Sequence, residues 1–300
     1  MRKWAFCSVV LSLLACEPQE YHADTPSVYE TAQSCAQVNQ DNFYASDAYA
    51  TFYLTVGTGD PAFPPWWEGG TTREHPQWKL NDPYLGRGYE GAVTFEVAKR
   101  MGFQRDRVTF APIDFNESFA PGPKPADFVL QQISSTPERA RNVDFSEGYY
   151  DVSQALVSVR GSAIATVTSL DQLRDARLGA PAGTTSLEEI EYTIRPSTDP
   201  TVVDDLAAAV RGLKDGRVEG IVVDLPSASY IATVQLPKAL IVGRLPTSDP
   251  REHFAMAFVD GSPITQCVNL ALQEMKDDGT LAKLRRKWLG GTTHAPLIEG

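Results

Sequence analysis

The sequence predicts an α/β protein built from two lobes. Its 300 residues exceed the commonest size of a single domain. A content of 42% hydrophobic and 22% charged residues is ordinary for a globular protein and is enough to bury a core. Short β-rich segments alternate with segments of helical periodicity, and this pattern predicts mixed sheets flanked by helices.

The N-terminus has the features of an export signal over residues 1–15. A basic pair at residues 2–3 precedes an apolar stretch, residues 4–14, that is too short to span a bilayer as a stable helix. Leu13-Leu14-Ala15-Cys16 resembles the lipobox of bacterial lipoproteins, which implies cleavage and lipidation at Cys16. The alternative is a plain secretory signal that is cut nearby. We expect an exported protein, periplasmic or at the cell surface, that a lipid anchors to the membrane.

Charge and histidine placement exclude several classes of function. The formal net charge is −11, and removal of the two basic residues of the signal gives −11 − 2 = −13. A surface this acidic argues against a nucleic-acid partner. The four histidines are scattered and no C-x-x-C motif occurs, so we predict neither a metal site nor a cofactor. We expect a monomer.

The first half of the chain predicts a strand over residues 50–56, followed by a loop with Asp60, Phe63 and Trp66. Residues 68–87 form a long second loop that we expect to cover part of a cleft. Apolar residues at helical spacing predict a helix over residues 88–102, which ends at a glycine.

The stretch from Ile133 to Tyr150 organises the rest of the prediction. A short strand over residues 127–133 precedes hydroxyl side chains that suit an N-cap and a proline that suits the first helical position. Arg139 then falls in the first turn of a helix at the carboxyl end of a strand, where ligands bind in open α/β sheets. Its guanidinium suits a carboxylate there, although an ordinary surface arginine fits the same pattern.

The second half continues with strands over residues 153–159, 177–180, 218–223 and 254–259. Helices are predicted over residues 202–214, from Pro226 to Val234, over residues 263–276, and to Trp288. Capping patterns start another helix near Thr184 and Thr185, and Asp224 ends a buried strand, where it suits an N-cap as well as a ligand contact. The last ten residues are predicted to be a loose tail.

Several short motifs in these elements resemble one protein family. S-x-T-P-E-R-A at residues 134–140, V-D-F-S at 143–146, Y-Y-D at 149–151, and D-G-T followed by K-x-x-x-K-W at 278–288 resemble the family 3 bacterial extracellular solute-binding proteins. The resemblance implies the two-lobed type II periplasmic-binding-protein fold with two hinge strands. The implied domains are a signal peptide at 1–15, an anchor tether and extension at 16–49, lobe 1 at 50–158 with 251–290, lobe 2 at 159–250, and a tail at 291–300.

The resemblance also implies a function. The chain would bind an amino acid or a similar small zwitterion between its lobes and deliver it to the membrane permease of an ABC transporter. A zwitterion needs a cation and an anion in the cleft, because burying either of its charges unpaired costs several kcal/mol. The implied ligand-binding residues are Arg139, Asp224, Thr184, Thr185, Ser134, Phe63, Trp66, Phe115, Asp60 and Gln132.

The four cysteines leave one open question. Cys7 belongs to the signal and Cys16 takes the lipid, so Cys35 and Cys267 remain. In an oxidising compartment they form either a disulfide or two buried free thiols.

Two other functions use the same scaffold. A secreted dehydratase of the cyclohexadienyl type needs a general acid, for which Glu90, Glu188 and Asp224 are the available carboxylates. A periplasmic sensor module would signal by docking to a membrane receptor. We predict a binding protein rather than an enzyme.

Overall fold

The sequence folds into two five-stranded sheets in a computed structural model that describes residue 35 and residues 53–246, 252–290 and 295–300. The signal segment and Cys16 lie outside the described residues, so cleavage and lipidation there stay predictions. No helix in the described part is long and apolar enough to cross a membrane.

The first sheet is mostly parallel and has the strand order β2-β1-β3-β12-β4. Its strands β1, β2 and β3 are parallel, and β12 runs antiparallel between β3 and β4. The bounds are β1 Leu54–Thr58, β2 Val108–Pro112, β3 Phe128–Val129, β4 Val143–Phe145 and β12 Ala257–Val259.

The second sheet has the order β10-β6-β9-β7-β8, with β9, β7 and β8 parallel. A two-stranded ribbon of β5 and β11 lies where the chain passes between the sheets. The bounds are β5 Tyr150–Asp151, β6 Gln154–Val159, β7 Leu178–Pro181, β8 Thr201–Val203, β9 Gly220–Asp224, β10 Ala239–Arg244 and β11 His253–Phe254.

Helices flank both sheets. The first helix has the apolar spacing that the sequence predicted, because its buried face carries Tyr89, Val93 and Val97. Gly102 follows the helix at φ +89°, where a residue with a side chain would be strained. The bounds are α1 Tyr89–Arg100, α2 Thr185–Glu188, α3 Leu206–Lys214, α4 Leu225–Tyr230, α5 Thr265–Asp277 and α6 Thr280–Leu289. Wider π-type turns continue α2 over Glu189–Ile194 and α4 over Ile231–Gln235.

Three predictions about local structure were wrong. The strand at residues 153–159 was expected to belong to lobe 1, but β6 pairs with β9 and β10 in the second sheet. The helix predicted from residue 202 begins at Leu206, because Val202 belongs to strand β8 and the Asp205 side chain accepts a hydrogen bond from the Ala208 N–H. Arg139 begins a short 3₁₀ turn rather than an α-helix.

The C-terminal residues also differ from the loose tail that the sequence predicted. Residues 295–300 pack on the second sheet, where the Arg244 N–H donates to the Pro296 carbonyl at 2.7 Å and the Ile298 N–H donates to the Arg244 carbonyl at 2.9 Å. Ile298 is buried among the side chains of that sheet. Its apolar side chain explains the docking, because it leaves water on folding.

Cys35 and Cys267 form a disulfide with a sulfur–sulfur distance of 2.13 Å. The bond ties the N-terminal part of the chain to α5 and decides between the two alternatives that the sequence left open.

Candidate functional site

One cavity of about 580 Å³ lies between the two sheets. Its walls follow the carboxyl ends of six parallel strands, three from each sheet. This is the edge at which open α/β sheets bind ligands. The lining segments are residues 58–63 after β1, 113–117 after β2, 131–132 after β3, 181–182 and 184–186 after β7, 204–206 after β8, and 223–224 and 227 at β9, together with Trp67.

Seven of the ten predicted ligand-binding residues line this cavity. They are Asp60, Phe63, Phe115, Gln132, Thr184, Thr185 and Asp224. The aromatic rings of Phe63 and Phe115 supply apolar wall, and the remaining side chains supply hydrogen-bonding groups. Predicted residues from both halves of the chain therefore lie at one cavity.

Asp224 stands at the end of β9, where it lines the cavity. Removal from bulk water raises the pKa of its carboxyl group to about 8, and the negative charge of Glu252 adds to the shift. The Gln154 Nε2 atom donates to Asp224 Oδ1 at 3.2 Å, which offsets part of this effect. The carboxyl group is therefore mostly neutral at pH 7 without ligand, and a cation beside it would favour the ionised form.

Arg139, Ser134 and Trp66 do not line the cavity. The Arg139 guanidinium donates to the carbonyl oxygens of Ser134 at 2.7 Å and Gly183 at 2.8 Å, and its carbon lies 4.2 Å from the Phe119 ring centroid. Because Gly183 belongs to the second sheet's side of the cleft, Arg139 joins the two halves. A direct bond between its guanidinium and a ligand carboxylate stays a prediction.

Trp66 and Trp67 have different surroundings. Trp66 is fully buried among Tyr89, Tyr150 and Phe254, and its indole N–H donates to Ser227 Oγ at 2.9 Å. Trp67 is the tryptophan that lines the cavity.

We predict that Trp67 reports ligand binding by fluorescence. A Trp67→Phe variant should lose most of the emission change that a ligand causes, because the indole at the cavity wall is absent. A Trp66→Phe variant is the matched control and should keep that change. Titrations at a ligand concentration that calorimetry shows to be saturating test this. Loss of the signal in Trp66→Phe alone would contradict it.

Glu90, which the sequence offered only as a candidate general acid, is buried behind the cavity wall. Its carboxylate accepts hydrogen bonds from the Gln132 N–H at 2.7 Å, Trp67 Nε1 at 2.9 Å and the Tyr149 hydroxyl at 2.5 Å, and also from the Gln132 side-chain amide. Burial raises the pKa of Glu90 to about 7. Gln132 has φ +50°, an uncommon value for a residue with a side chain. Glu90 therefore holds two cavity residues, Gln132 and Trp67, in place from behind.

The long loop over residues 68–87 packs on the segment that follows β1, and none of its residues is among those that line the cavity. The Lys79 N–H donates to Asp60 Oδ1 at 2.9 Å, and its ammonium lies 3.3 Å from Asp60 Oδ2. Asn81 Nδ2 donates to the Ala62 carbonyl at 2.9 Å. These contacts hold the loop against the segment that follows β1.

Glu252 lies beside the cleft and was not predicted from the sequence. It lies beside the ribbon of β5 and β11 and contacts Ser134, Gln154 and Thr185. No local pattern marks it, because these partners are distant in sequence. No group of three or more His, Cys, Asp or Glu side chains in the described residues is placed to hold a metal ion.

Comparisons with known proteins agree with this architecture. The family described as bacterial extracellular solute-binding proteins, family 3, matches residues 70–291. The arginine-binding extracellular protein ArtP of Bacillus subtilis is 28% identical over 230 residues, which are 74% of this chain and 85% of that protein. The L-cystine-binding protein TcyJ of Escherichia coli is 27% identical over 217 residues, 69% of this chain and 79% of that protein.

Solved structures give the same result. An ancestral arginine-binding protein bound to arginine is 30% identical with a TM-score of 0.63, covering 79% of this chain and 97% of that one. The ancestral amino acid-binding protein AncCDT-1, a precursor of cyclohexadienyl dehydratase, is 26% identical with a TM-score of 0.63 and covers 79% and 95%.

Proposed function

The chain belongs to the family 3 bacterial extracellular solute-binding proteins and has their type II periplasmic-binding-protein fold, and we propose that it is an extracytoplasmic receptor. It would bind an amino acid in the cavity between its sheets and deliver it to the permease of an ABC importer. The observation that carries the proposal is the position of Asp224, whose carboxyl group lines a cavity built by both sheets. That group can pair with the ammonium of an amino acid.

The rest of the cavity supports the same class of ligand. Phe63, Phe115 and Trp67 offer apolar contact for a side chain, and Thr184, Thr185 and Gln132 offer hydrogen bonds. Hydrogen bonds to charged groups contribute about 1.5–3 kcal/mol each. Four or five of them, reduced by the cost of ordering, reach the roughly −8.2 kcal/mol of a micromolar dissociation constant.

A dehydratase is the second candidate, because Asp224 combines a cavity position with a raised carboxyl pKa, as a general acid requires. Of the other carboxylates considered, Glu90 is buried behind the cavity wall and Glu188 is exposed. Neither lines the cavity.

One screen separates the two functions. The melting temperature of the mature protein would be measured with each proteinogenic amino acid and with prephenate, and the same wells analysed for product. We expect one amino acid or a related group to raise the melting temperature, with no turnover of prephenate. Formation of phenylpyruvate with no response to amino acids would overturn the receptor proposal.

A further inference from the structure

Glu252 is bonded to both halves of the cleft at once. Its Oε1 atom accepts hydrogen bonds from the Ser134 hydroxyl at 2.5 Å and the Thr185 hydroxyl at 2.6 Å. Its Oε2 atom lies 3.3 Å from Gln154 Nε2, which also donates towards Asp224. Ser134 follows the first sheet's strand β3, and Thr185 begins α2 of the second half, so one carboxylate ties both sides together.

Glu252 engages two hydroxyl groups that could also donate to a ligand carboxylate. Ser134 and Thr185 are both among the ten ligand-binding residues that the family resemblance implies, and Thr185 is the one of the two that lines the cavity. Each hydroxyl has a single hydrogen to donate, and a carboxylate can only accept. The third assigned donor, Arg139, already donates to two backbone carbonyls, and the negative charge of Glu252 acts on it as well. A ligand carboxylate at this position must therefore displace Glu252.

The residues that line the cavity favour a cationic ligand over an anionic one. Six acidic residues line it, and no lysine, arginine or histidine is among its lining residues. These acids are Asp60, Asp114, Glu117, Asp204, Asp205 and Asp224. Asp60 is paired with Lys79 and Asp224 is mostly neutral without ligand, which leaves four other acids at the lining. Partly enclosed charges of one sign attract ligands of the other sign and disfavour like charges.

We propose that Glu252 is a specificity-determining residue whose carboxylate competes with the carboxylate of the ligand, so that the cleft favours cations over neutral zwitterions. The inference rests on the proposed receptor function and names its substrate class as amino acids with a cationic side chain, together with their decarboxylated amines. Binding of an amino acid exchanges one carboxylate for another at Ser134 and Thr185. Binding of the amine leaves Glu252 in place.

The test compares matched ligands that differ only in the carboxylate. Dissociation constants for arginine and its decarboxylated analogue agmatine would be measured by calorimetry for the parent protein, Glu252→Ala and Glu252→Gln. In Glu252→Ala the two hydroxyls become free, so the ratio of the arginine constant to the agmatine constant should fall at least about tenfold. Glu252→Gln keeps an acceptor but loses the charge, and we expect a smaller fall in the same direction. Lysine and cadaverine provide a second matched pair.

The controls separate this role from a structural one. Glu191→Gln changes an exposed glutamate away from the cavity and should leave the ratio unchanged. Loss of hinge packing alone would weaken both ligands equally, so an unchanged ratio in both Glu252 variants overturns the proposal. A ratio that rises would show that Glu252 supports the carboxylate site, which also overturns it. If neither an amino acid nor an amine binds any of the proteins, the receptor proposal itself fails and this one fails with it.

Discussion

An Asp224→Asn variant is expected to bind amino acids more than about 100-fold more weakly than the parent protein. Asp224 is the carboxyl group at the end of β9 that lines the cavity, and Gln154 already donates to it from the side. An amide at this position cannot offer a negative charge to the ligand's ammonium. Leaving a buried charge without its partner costs about 3–5 kcal/mol, and 3 kcal/mol corresponds to more than a hundredfold in affinity.

The same substitution should not destabilise the ligand-free protein. The pKa of Asp224 is about 8 in the folded protein, against 3.8 for an aspartate exposed to water. The folded state therefore prefers the neutral form, and its stability falls as the pH rises from about 4 to about 8. Asparagine resembles the neutral acid, so at pH 7 the melting temperature of the variant should equal or exceed that of the parent.

Two comparisons identify the cause of the weakened binding. An analogue of the ligand that lacks the amine should bind the parent and Asp224→Asn with similar affinity, because it never used the carboxylate. Asp199→Asn, an exposed aspartate outside the cavity, should bind like the parent. Equal weakening of the amino acid and its amine-free analogue would remove Asp224 from the role of ammonium partner.

Much of the fold follows from local pattern alone. The spacing of apolar residues located α1, and its terminal glycine at position 102 adopts the positive φ that the sequence predicted. A capping box of Ser169 and Gln172, three residues apart in the sequence, starts the short 3₁₀ turn Leu170–Leu173. These features depend on residues within four positions of each other, which is why the sequence shows them directly.

The errors occur where partners are distant in sequence. Val202 has neighbours that fit a helix, yet it pairs with Ala180 of β7 and extends the sheet. Trp66 and Trp67 are adjacent and chemically identical, and only the folded chain shows which one faces the cavity. Glu252 bonds to residues 67, 98 and 118 positions away, so no local pattern could reveal it.

The same contrast between local patterns and contacts distant in sequence applies to the predicted site residues. Asp224 was found because a buried β-run ending in an acid marks the carboxyl edge of a sheet. Arg139 was also predicted at that edge, but it does not line the cavity, and its partners are two carbonyl oxygens, one from each half of the chain. Sequence patterns therefore identify which residues reach the cleft more reliably than they identify what each side chain contacts there.

Affinity for amino acids should rise about tenfold from pH 6 to pH 7, by a smaller factor from pH 7 to pH 8, and then level off. Without ligand, Asp224 holds a proton up to its pKa of about 8, because it is removed from bulk water and lies near Glu252 and Glu90. A bound ammonium favours the ionised carboxylate, so binding below pH 8 releases close to one proton. Removing a proton becomes easier as the pH rises, so the affinity for amino acids should increase with pH.

Other groups near the cavity do not produce the same profile. Burial raises the pKa of Tyr150 well above its usual value, so this hydroxyl stays neutral over the range. Glu90 has a pKa of about 7, but its carboxylate is engaged by four donors behind the cavity wall. Titration of Glu90 would change the hydrogen bonds behind the cavity wall and would leave the charge that faces the ligand unchanged.

Calorimetry in buffers of different ionisation enthalpy measures the released protons directly. At pH 7 the parent protein should release nearly one proton for each amino acid bound, and at pH 9 almost none. Asp224→Asn should lose this release, and its remaining affinity should not vary between pH 6 and pH 8. An affinity in the parent that is flat or falls over this range would mean that Asp224 is already ionised before the ligand arrives. Asp224 would then carry its negative charge before the ligand binds, and the ligand's ammonium would not cause its ionisation.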